Sequence, residues 1–344
     1  MYSKEHPYYA TLVERTPLTS SDSKKSTCHM VLDIRGSGLR YEPGDCVAIL
    51  PQNPPELIEK TLDSLGASGS EAVLCPKTGS SHTLRDYLAH RANLSRPPRS
   101  LVPLEDREAI RDYIERHKVW ELPLAKISPQ ELVDALSPLL PRFYSIASSM
   151  EHVGEEIHLT VRHLESGICT HYLCEGAPVG DRSVPLYIQG APHFRLPASH
   201  ETPIIMVGPG TGVAPYRGFI QERLARGATG GHWLFFGEWT REGHFFYESE
   251  WNPLVERGAL RLATAFSRDQ GEKVYVQHRL LEHGEEVWEW LERGAHFYVC
   301  GDAKGMAPAV DSALQEIAQL HGNADPKAFV KALRKEGRYL RDVY

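Results

Sequence analysis

The chain lacks the features of a membrane protein or a nucleic-acid-binding protein. No apolar run approaches the roughly 20 residues that a membrane-spanning helix needs. The 38 Lys and Arg residues are outnumbered by 45 Asp and Glu, so the formal charge is −7 and a basic face for nucleic acid is excluded. The first residues, MYSKEHPYYATLVERT, contain no apolar signal-peptide segment. We therefore expect a cytoplasmic protein with no nucleic-acid or membrane partner.

Closely spaced cysteine pairs are also missing. The six cysteines stand at 28, 46, 75, 169, 174 and 300 without a CxxC spacing, which argues against a zinc knuckle and a disulfide framework. We accordingly predict no metal site and a reducing compartment. Hydrophobic residues make up 41% and charged residues 24%, which is typical of a soluble globular protein. A chain of 344 residues is too long for one ordinary core, so we expect two domains.

The residue pattern predicts where these domains lie. Residues 1–50 and 141–200 show apolar–polar alternation and turn signals, and we predict an antiparallel β-barrel there. Between them, residues 51–140 carry apolar residues at helical spacing behind Pro, Ser or Thr, which predicts a helical insertion. From residue 201 to 344, strands and helices alternate, as in a doubly wound parallel α/β domain.

Three stretches of the α/β domain carry candidate chemistry. The strand–turn–helix IIMVGPGTGVAPYRGFI, residues 204–220, predicts a pyrophosphate site around Gly210 and Thr211, because free amides at a helix start bind phosphate. In SRDQGEKVYVQ, residues 267–277, a hydroxyl, two cations and an aromatic suit an adenosine 2′-phosphate. FYVCGD places Cys300 at the carboxyl end of a strand, where ligands bind in such folds. A plain turn, a solvated loop and an inert buried thiol are the alternatives that these patterns leave open.

Taken together, the motifs resemble the ferredoxin–NADP reductase superfamily. RFYSIASS, GICTHYL, GPGTGVAPYRGF, WLFFGEW, AFSRDQGEKVYVQ, YVCGDAKGMA and the terminal RYLRDVY follow one another in the order of that family. The resemblance covers nearly the whole chain. Within the superfamily it is strongest to the FAD/NADPH half of diflavin reductases, in particular to that of the sulfite reductase flavoprotein component. It implies FAD and NADPH as cofactors and an NADPH-dependent flavoprotein oxidoreductase as the activity.

The resemblance implies roles for individual residues. FAD would be bound by the RxYS residues Arg142, Tyr144 and Ser145, by the strand segment Thr160, Val161 and Arg162, by Gly167, Ile168, Cys169 and Thr170, and by Arg85 and Ser95. NADPH would be bound by Gly210, Thr211, Ser267, Arg268, Lys273, Tyr275 and Gln277. Ser145, Cys300, Asp342 and Tyr344 would surround the reacting atoms, with Tyr344 stacked on the flavin. A terminal aromatic that is merely frayed is the alternative for Tyr344.

Two differences from the family pattern affect the expectations. The segment HLESG contains no tyrosine to stack on the adenine of FAD, and His163 is the substitute that remains. No stretch resembles the flavodoxin-like FMN domain of diflavin enzymes, so we expect a separate acceptor: a sulfite reductase haemoprotein, a flavodoxin or a ferredoxin. The alternatives are an NADPH–ferredoxin/flavodoxin oxidoreductase unrelated to sulfite, a non-catalytic flavin-binding module, and one fragment of a longer diflavin chain.

Overall fold

A computed structural model describes residues 2–323 and 325–344. The first part is a six-stranded antiparallel sheet with the strand order β6-β3-β8-β1-β2-β7. Its strands are β1 (Tyr8–Pro17), β2 (Thr27–Asp33), β3 (Cys46–Ile49), β6 (Arg142–Ser145), β7 (Glu156–Arg162) and β8 (Arg182–Gln189). The Ala147 amide, just beyond β6, donates to the His158 carbonyl of β7 at 2.8 Å, so the two edge strands meet and the sheet closes into a barrel.

A helical insertion separates β3 from β6. Its helices are α1 (Pro55–Leu65), α2 (Leu84–His90), α3 (Arg107–Arg116) and α4 (Pro129–Ala135), with short 3₁₀ turns at Arg99–Leu101, Val119–Glu121 and Leu124–Lys126. Ser128 accepts from the Glu131 amide and Glu131 reciprocates, which fixes the start of α4 as a capping box. A core of its own, including Leu62, Leu88 and Leu132, holds the insertion together.

The barrel also carries short helices. These are α5 (Met150–Val153) and α6 (Ile168–His171), the latter continuing into a π-helical turn, Tyr172–Gly176.

The second part is a five-stranded parallel sheet with the order β11-β10-β9-β12-β13. Its strands are β9 (Ile204–Val207), β10 (His232–Glu238), β11 (Arg261–Phe266), β12 (His296–Gly301) and β13 (Tyr339–Val343). The helices are α7 (Ala214–Ala225), α8 (Arg241–His244), α9 (Glu248–Glu256), α10 (Val276–Glu282), α11 (Gly284–Glu292), α12 (Met306–Gly322) and α13 (Pro326–Lys335), with a 3₁₀ turn at Gly210–Val213. Apolar cores cover the sheet on both faces. The strand order reverses between β9 and β12, and ligands bind at the carboxyl end of such a crevice.

Buried polar contacts join the barrel to the α/β part. Arg217 of α7 donates to the Ala147 carbonyl at 2.8 Å and to His158 Nδ1 at 3.1 Å. Tyr247 lies in the left-handed region at φ 60°, and its hydroxyl is 2.6 Å from Thr160 Oγ1 and 3.1 Å from His29 Nδ1. The β2 side chains are therefore buried on both faces of the barrel wall. This explains why buried and exposed residues do not alternate along the strand.

The fold class predicted from the sequence, a β-barrel with a helical insertion followed by a doubly wound parallel α/β domain, is confirmed. The domain bounds at residues 50, 140 and 200 stay predictions. One feature inside the insertion was not predicted: a hairpin of β4 (Ala72–Leu74) and β5 (Ser81–Thr83). Strands of three residues are too short to show a period of two. Within the described residues, no helix is long and apolar enough to cross a membrane.

Candidate functional site

Two cavities open on the line where the barrel meets the parallel sheet. The barrel cavity, about 590 Å³, lies against β6, the end of β7 and the start of α6. The sheet cavity, about 720 Å³, lies over the carboxyl ends of β9, β10, β11 and β12. Arg162, Thr211 and Tyr344 line both of them, so the two cavities form one continuous site.

Most residues predicted to bind FAD line the barrel cavity. They are Ser95, Arg142, Tyr144, Ser145, Thr160, Arg162, Gly167, Ile168, Cys169 and Thr170. Val161 alternates with its neighbours on β7 and is fully buried in the barrel core, which leaves only its backbone for such a contact. Arg85 lies on the insertion surface, paired with Glu59, and is outside the lining of the barrel cavity. The roles of these residues stay predictions.

All residues predicted to bind the nicotinamide nucleotide line the sheet cavity. They are Gly210, Thr211, Ser267, Arg268, Lys273, Tyr275 and Gln277. The parallel register explains this convergence, because the loops after the strands all leave from one edge of the sheet. Gly212 lies so close to β12 that a Cβ there would stand 2.2 Å from the Cys300 carbonyl oxygen. The turn therefore requires glycine to pack against the strand.

Tyr344 stands at the junction of the two cavities. Its amide donates to the Gly301 carbonyl at 3.1 Å, and its carbonyl accepts from the Ala303 amide at 3.0 Å. The phenol is 3.0 Å from Thr211 Oγ1, while 65% of the residue surface stays exposed to the site. These contacts hold Tyr344 in place where the two cavities meet.

Three further side chains meet at the boundary between barrel and sheet. The Ser145 hydroxyl on β6 donates to Asp342 Oδ2 on β13 at 3.0 Å, across the boundary between barrel and sheet. The Cys300 thiol lies 3.9 Å from the same carboxylate oxygen. Burial and the Asp342 charge raise the pKa of the Cys300 thiol well above its ordinary value. Cys300 is therefore a neutral, apolar packing group and no thiolate nucleophile.

The buried groups around the barrel cavity are neutral as well. Burial raises the pKa of the Tyr144 phenol far above its ordinary value, and it raises the pKa of Cys169 to about 12. Burial, reinforced by Asp342, raises the pKa of Cys46 to about 11. These three uncharged side chains suit contact with a planar, largely apolar ring system.

Four cations line the two cavities. Arg142 and Arg162 face the barrel cavity, while Arg268 and Lys273 face the sheet cavity. Across the described chain none of the four forms an ion pair with a carboxylate, although the protein as a whole is acidic. Such free cations stabilise phosphate through charge-assisted hydrogen bonds. The donor set therefore fits FAD in the barrel cavity and a phosphorylated nucleotide in the sheet cavity.

The sequence patterns missed three residues of the sheet cavity. The Lys25 ammonium lies 2.6 Å and 2.7 Å from the two Glu238 oxygens, with 12% and 3% of the two side chains exposed. Burial lowers the pKa of Lys25, and the Glu238 carboxylate opposes that shift. Trp239 packs beneath Arg268, whose guanidinium carbon is 3.4 Å from the ring centroid. Glu238 ends β10 and Trp239 follows it, and this position at a strand end was a usable signal, whereas nothing local marked Lys25.

Comparison with known proteins agrees with this geometry. The family described as FAD binding domain matches residues 1–118, and the oxidoreductase NAD-binding domain family matches residues 206–312. The sulfite reductase [NADPH] flavoprotein alpha-component of Vibrio cholerae serotype O1 is 42% identical over 376 aligned residues, covering 100% of this chain and 60% of the relative. The same component is 40% identical in Aliivibrio fischeri, covering 100% of this chain and 61% of the relative.

This chain thus spans about 60% of the length of the curated relatives it matches. The FAD-binding match covers β1 to β3 and much of the helical insertion, and the NAD-binding match covers most of the parallel-sheet part. On this evidence the chain contains regions that match a FAD binding domain and an oxidoreductase NAD-binding domain, and it is similar over its whole length to part of the sulfite reductase [NADPH] flavoprotein alpha-component.

Proposed function

We propose that the chain is an NADPH-dependent FAD reductase that passes electrons from NADPH through FAD to a separate acceptor. The observation that carries the proposal is the junction at Tyr344, where the two cavities meet above the Ser145–Asp342 hydrogen bond. When bound, FAD supplies the chemistry that accepts one hydride, which carries two electrons, and releases these electrons singly. The protein supplies alignment and electrostatics.

Each side chain has a definite task in this proposal. Arg142 and the amides that begin at Gly167 hold the FAD pyrophosphate, with Ser95 and Thr170 beside them. Arg268 and Lys273 bind the 2′-phosphate, and Tyr275 covers the adenine. The Tyr344 ring must leave the junction before the nicotinamide can approach. The Ser145 hydroxyl donates a hydrogen bond to Asp342 Oδ2 and could instead turn toward a ring nitrogen of a bound flavin, while Asp342 would relay a proton at that oxygen.

We propose a sulfite reductase haemoprotein or an FMN/flavodoxin-type carrier as the acceptor. The relatives are named as the flavoprotein component of a sulfite reductase, which supports a haemoprotein partner. An NADPH–ferredoxin/flavodoxin oxidoreductase without a link to sulfite is the alternative, since the site described here binds cofactors and does not select the acceptor. A cytoplasmic location completes the proposal, because a reducing compartment keeps the six thiols free.

Purified chain loaded with FAD tests the proposal. Anaerobic addition of NADPH should bleach the visible flavin absorbance, and NADH should do so far more slowly. Sulfite reductase haemoprotein, flavodoxin and ferredoxin are then offered separately as acceptors. If the chain never takes up FAD, or if its flavin stays oxidised after NADPH is added, the proposed enzymatic activity is refuted and a non-catalytic flavin-binding module is favoured. Turnover with ferredoxin or flavodoxin but none with the haemoprotein would support the alternative.

A further inference from the structure

Three metal-ligating side chains gather beside the barrel cavity. His163 directly follows β7, His171 ends α6, and Glu175 lies one turn later in the π-helical segment. One ligand atom from each residue lies within 4.8 Å of the others. The side chains of His163, His171 and Glu175 are 21%, 36% and 53% exposed, so the cluster is partly sheltered and still open to solvent on one side.

The spacing of these atoms suits tetrahedral coordination. Glu175 offers a different oxygen to each imidazole, at 3.3 Å from His163 Nε2 and 3.2 Å from His171 Nδ1. A tetrahedral ion with ligand bonds of about 2.0–2.2 Å has ligand–ligand edges of roughly 3.3–3.6 Å. Small rotations of the imidazole rings would bring all three atoms to bonding distance of one ion.

His163 Nε2 provides an independent indication of a ligand. This nitrogen is buried and has no hydrogen-bond partner. A carboxylate oxygen of Glu175 stands 3.3 Å away, but the geometry of that contact is too poor for a hydrogen bond. Buried polar atoms are nearly always satisfied, and an orphan points to a bound water or ion. The nitrogen therefore lacks a partner in the one place where two other metal ligands converge.

The backbone that places Glu175 is unusual. The Ala177 amide donates to the Tyr172 carbonyl at 2.6 Å, which is the i→i+5 bond of a π-helix. Such turns are rare and occur frequently at functional sites. Because the widened turn starts immediately after His171, it sets the position of Glu175 relative to that imidazole.

We propose that His163, His171 and Glu175 bind one divalent transition-metal ion, preferentially Zn²⁺, with a fourth position open to water. Two imidazoles with one carboxylate form a ligand set that zinc accepts, whereas Mg²⁺ and Ca²⁺ require sets of oxygen ligands. The ion would fasten the end of β7 to the segment after α6. If the proposed FAD site is correct, the metal braces both sides of it, since Arg162 and Thr170 are close neighbours of the ligands in the chain.

A zinc titration of the full chain tests the site without reference to flavin or nucleotide. The protein is freed of metal with a chelator and titrated with ZnCl₂ against a competing zinc indicator and by calorimetry. We expect one Zn²⁺ per chain with micromolar or tighter affinity, a raised thermal midpoint, and no saturable binding of Mg²⁺ or Ca²⁺. His171→Ala and Glu175→Gln should each weaken Zn²⁺ binding at least tenfold. His193→Ala, which removes an exposed histidine elsewhere, should leave it unchanged.

Two results would overturn the site: no one-to-one binding in the unmodified chain, or undiminished affinity in both His171→Ala and Glu175→Gln. Glu175→Gln preserves the shape of a half-exposed side chain and should not disturb folding. Its zinc affinity can therefore be measured even if a histidine variant is poorly folded. The bracing role has a separate measurement. Saturating Zn²⁺ should slow the release of FAD from the unmodified chain and should have no effect in Glu175→Gln. Equal release rates with and without Zn²⁺ would remove the bracing role while leaving the metal site standing.

Discussion

Mild acid should destabilise the chain through two histidines buried between its domains. His29 and His158 are 9% and 8% exposed. Burial, reinforced by the Arg217 cation, lowers the pKa of each from 6.5 to about 3. His158 Nδ1 accepts a hydrogen bond from Arg217 at 3.1 Å, so a proton on that nitrogen would break the contact and place two positive charges together. Both side chains are thus held neutral in the folded protein.

The direction in which stability changes with pH follows from whether the folded or the unfolded chain binds more protons. As the pH falls through 6.5, the two histidines of the unfolded chain take up protons, while those of the folded chain stay neutral until about pH 3. The unfolded state therefore binds more protons throughout this window, and stability decreases with the pH. At pH 5, about 1.5 units below the pKa of histidine in the unfolded chain, each of the two histidines lowers the free energy of unfolding by about 2 kcal/mol, because one pKa unit corresponds to about 1.4 kcal/mol. His232, whose pKa burial lowers to about 4, adds a background common to all variants.

Urea unfolding at pH 8 and pH 5 measures the effect. The quantity compared is the loss in free energy of unfolding between the two pH values, which cancels any direct cost of a substitution. In His29→Gln and in His158→Gln this loss should be smaller than in the unmodified chain by about 2 kcal/mol. His193→Gln, at an exposed position, serves as the matched control and should show the full loss. An equal loss in all four proteins would show that the buried histidines are not the acid-sensitive groups.

The remaining predictions concern the cofactors. Arg268→Ala should raise the KM for NADPH by about one to two decades and leave that for NADH nearly unchanged, since a charge-assisted phosphate contact is worth ~1.5–3 kcal/mol; equal effects on both nucleotides would contradict a 2′-phosphate role. Arg142→Ala should yield folded protein depleted of FAD, and full flavin absorbance in that variant would exclude its role at the pyrophosphate. Deleting Tyr344 should raise NADH turnover relative to NADPH and produce a long-wavelength charge-transfer band with NADP⁺, because a ring worth ~0.5–1.5 kcal/mol no longer has to be displaced. An unchanged ratio and spectrum would remove Tyr344 from the site.

The sequence predicted those parts of the site that lie at the ends of regular elements. Gly210 follows β9 and Arg268 follows β11, and the parallel topology alone brings the ends of such strands to one edge. Only the family likeness could assign a ligand to Arg142, Tyr144 and Ser145. Their strand lines a cavity between barrel and sheet whose other wall comes from a distant part of the chain.

Contacts that depend on docking of the two parts could not be predicted. Lys25 belongs to the loop before β2 and Glu238 ends β10, so their ion pair spans more than two hundred positions of sequence. No periodicity encodes which barrel loop will face which strand end. The cluster of His163, His171 and Glu175 was missed for a related reason, because its third ligand is placed by a π-helical turn and regular helical spacing does not describe it.

Docking of the domains and assembly of the reactive site depend on the same short segment. Arg217 holds the Ala147 carbonyl, only two residues beyond Ser145, and Ser145 is the barrel residue that reaches Asp342 across the boundary. Local opening of the interface would expose His158 to water, where it takes up a proton that repels Arg217, so acid favours an opened state in which the segment no longer positions Ser145. Because this repulsion acts at the interface before it unfolds either core, flavin reduction by NADPH should decline on acidification before the far-UV circular dichroism changes. Coincident loss of both signals would mean that the interface has no weakness of its own and fails only together with the cores.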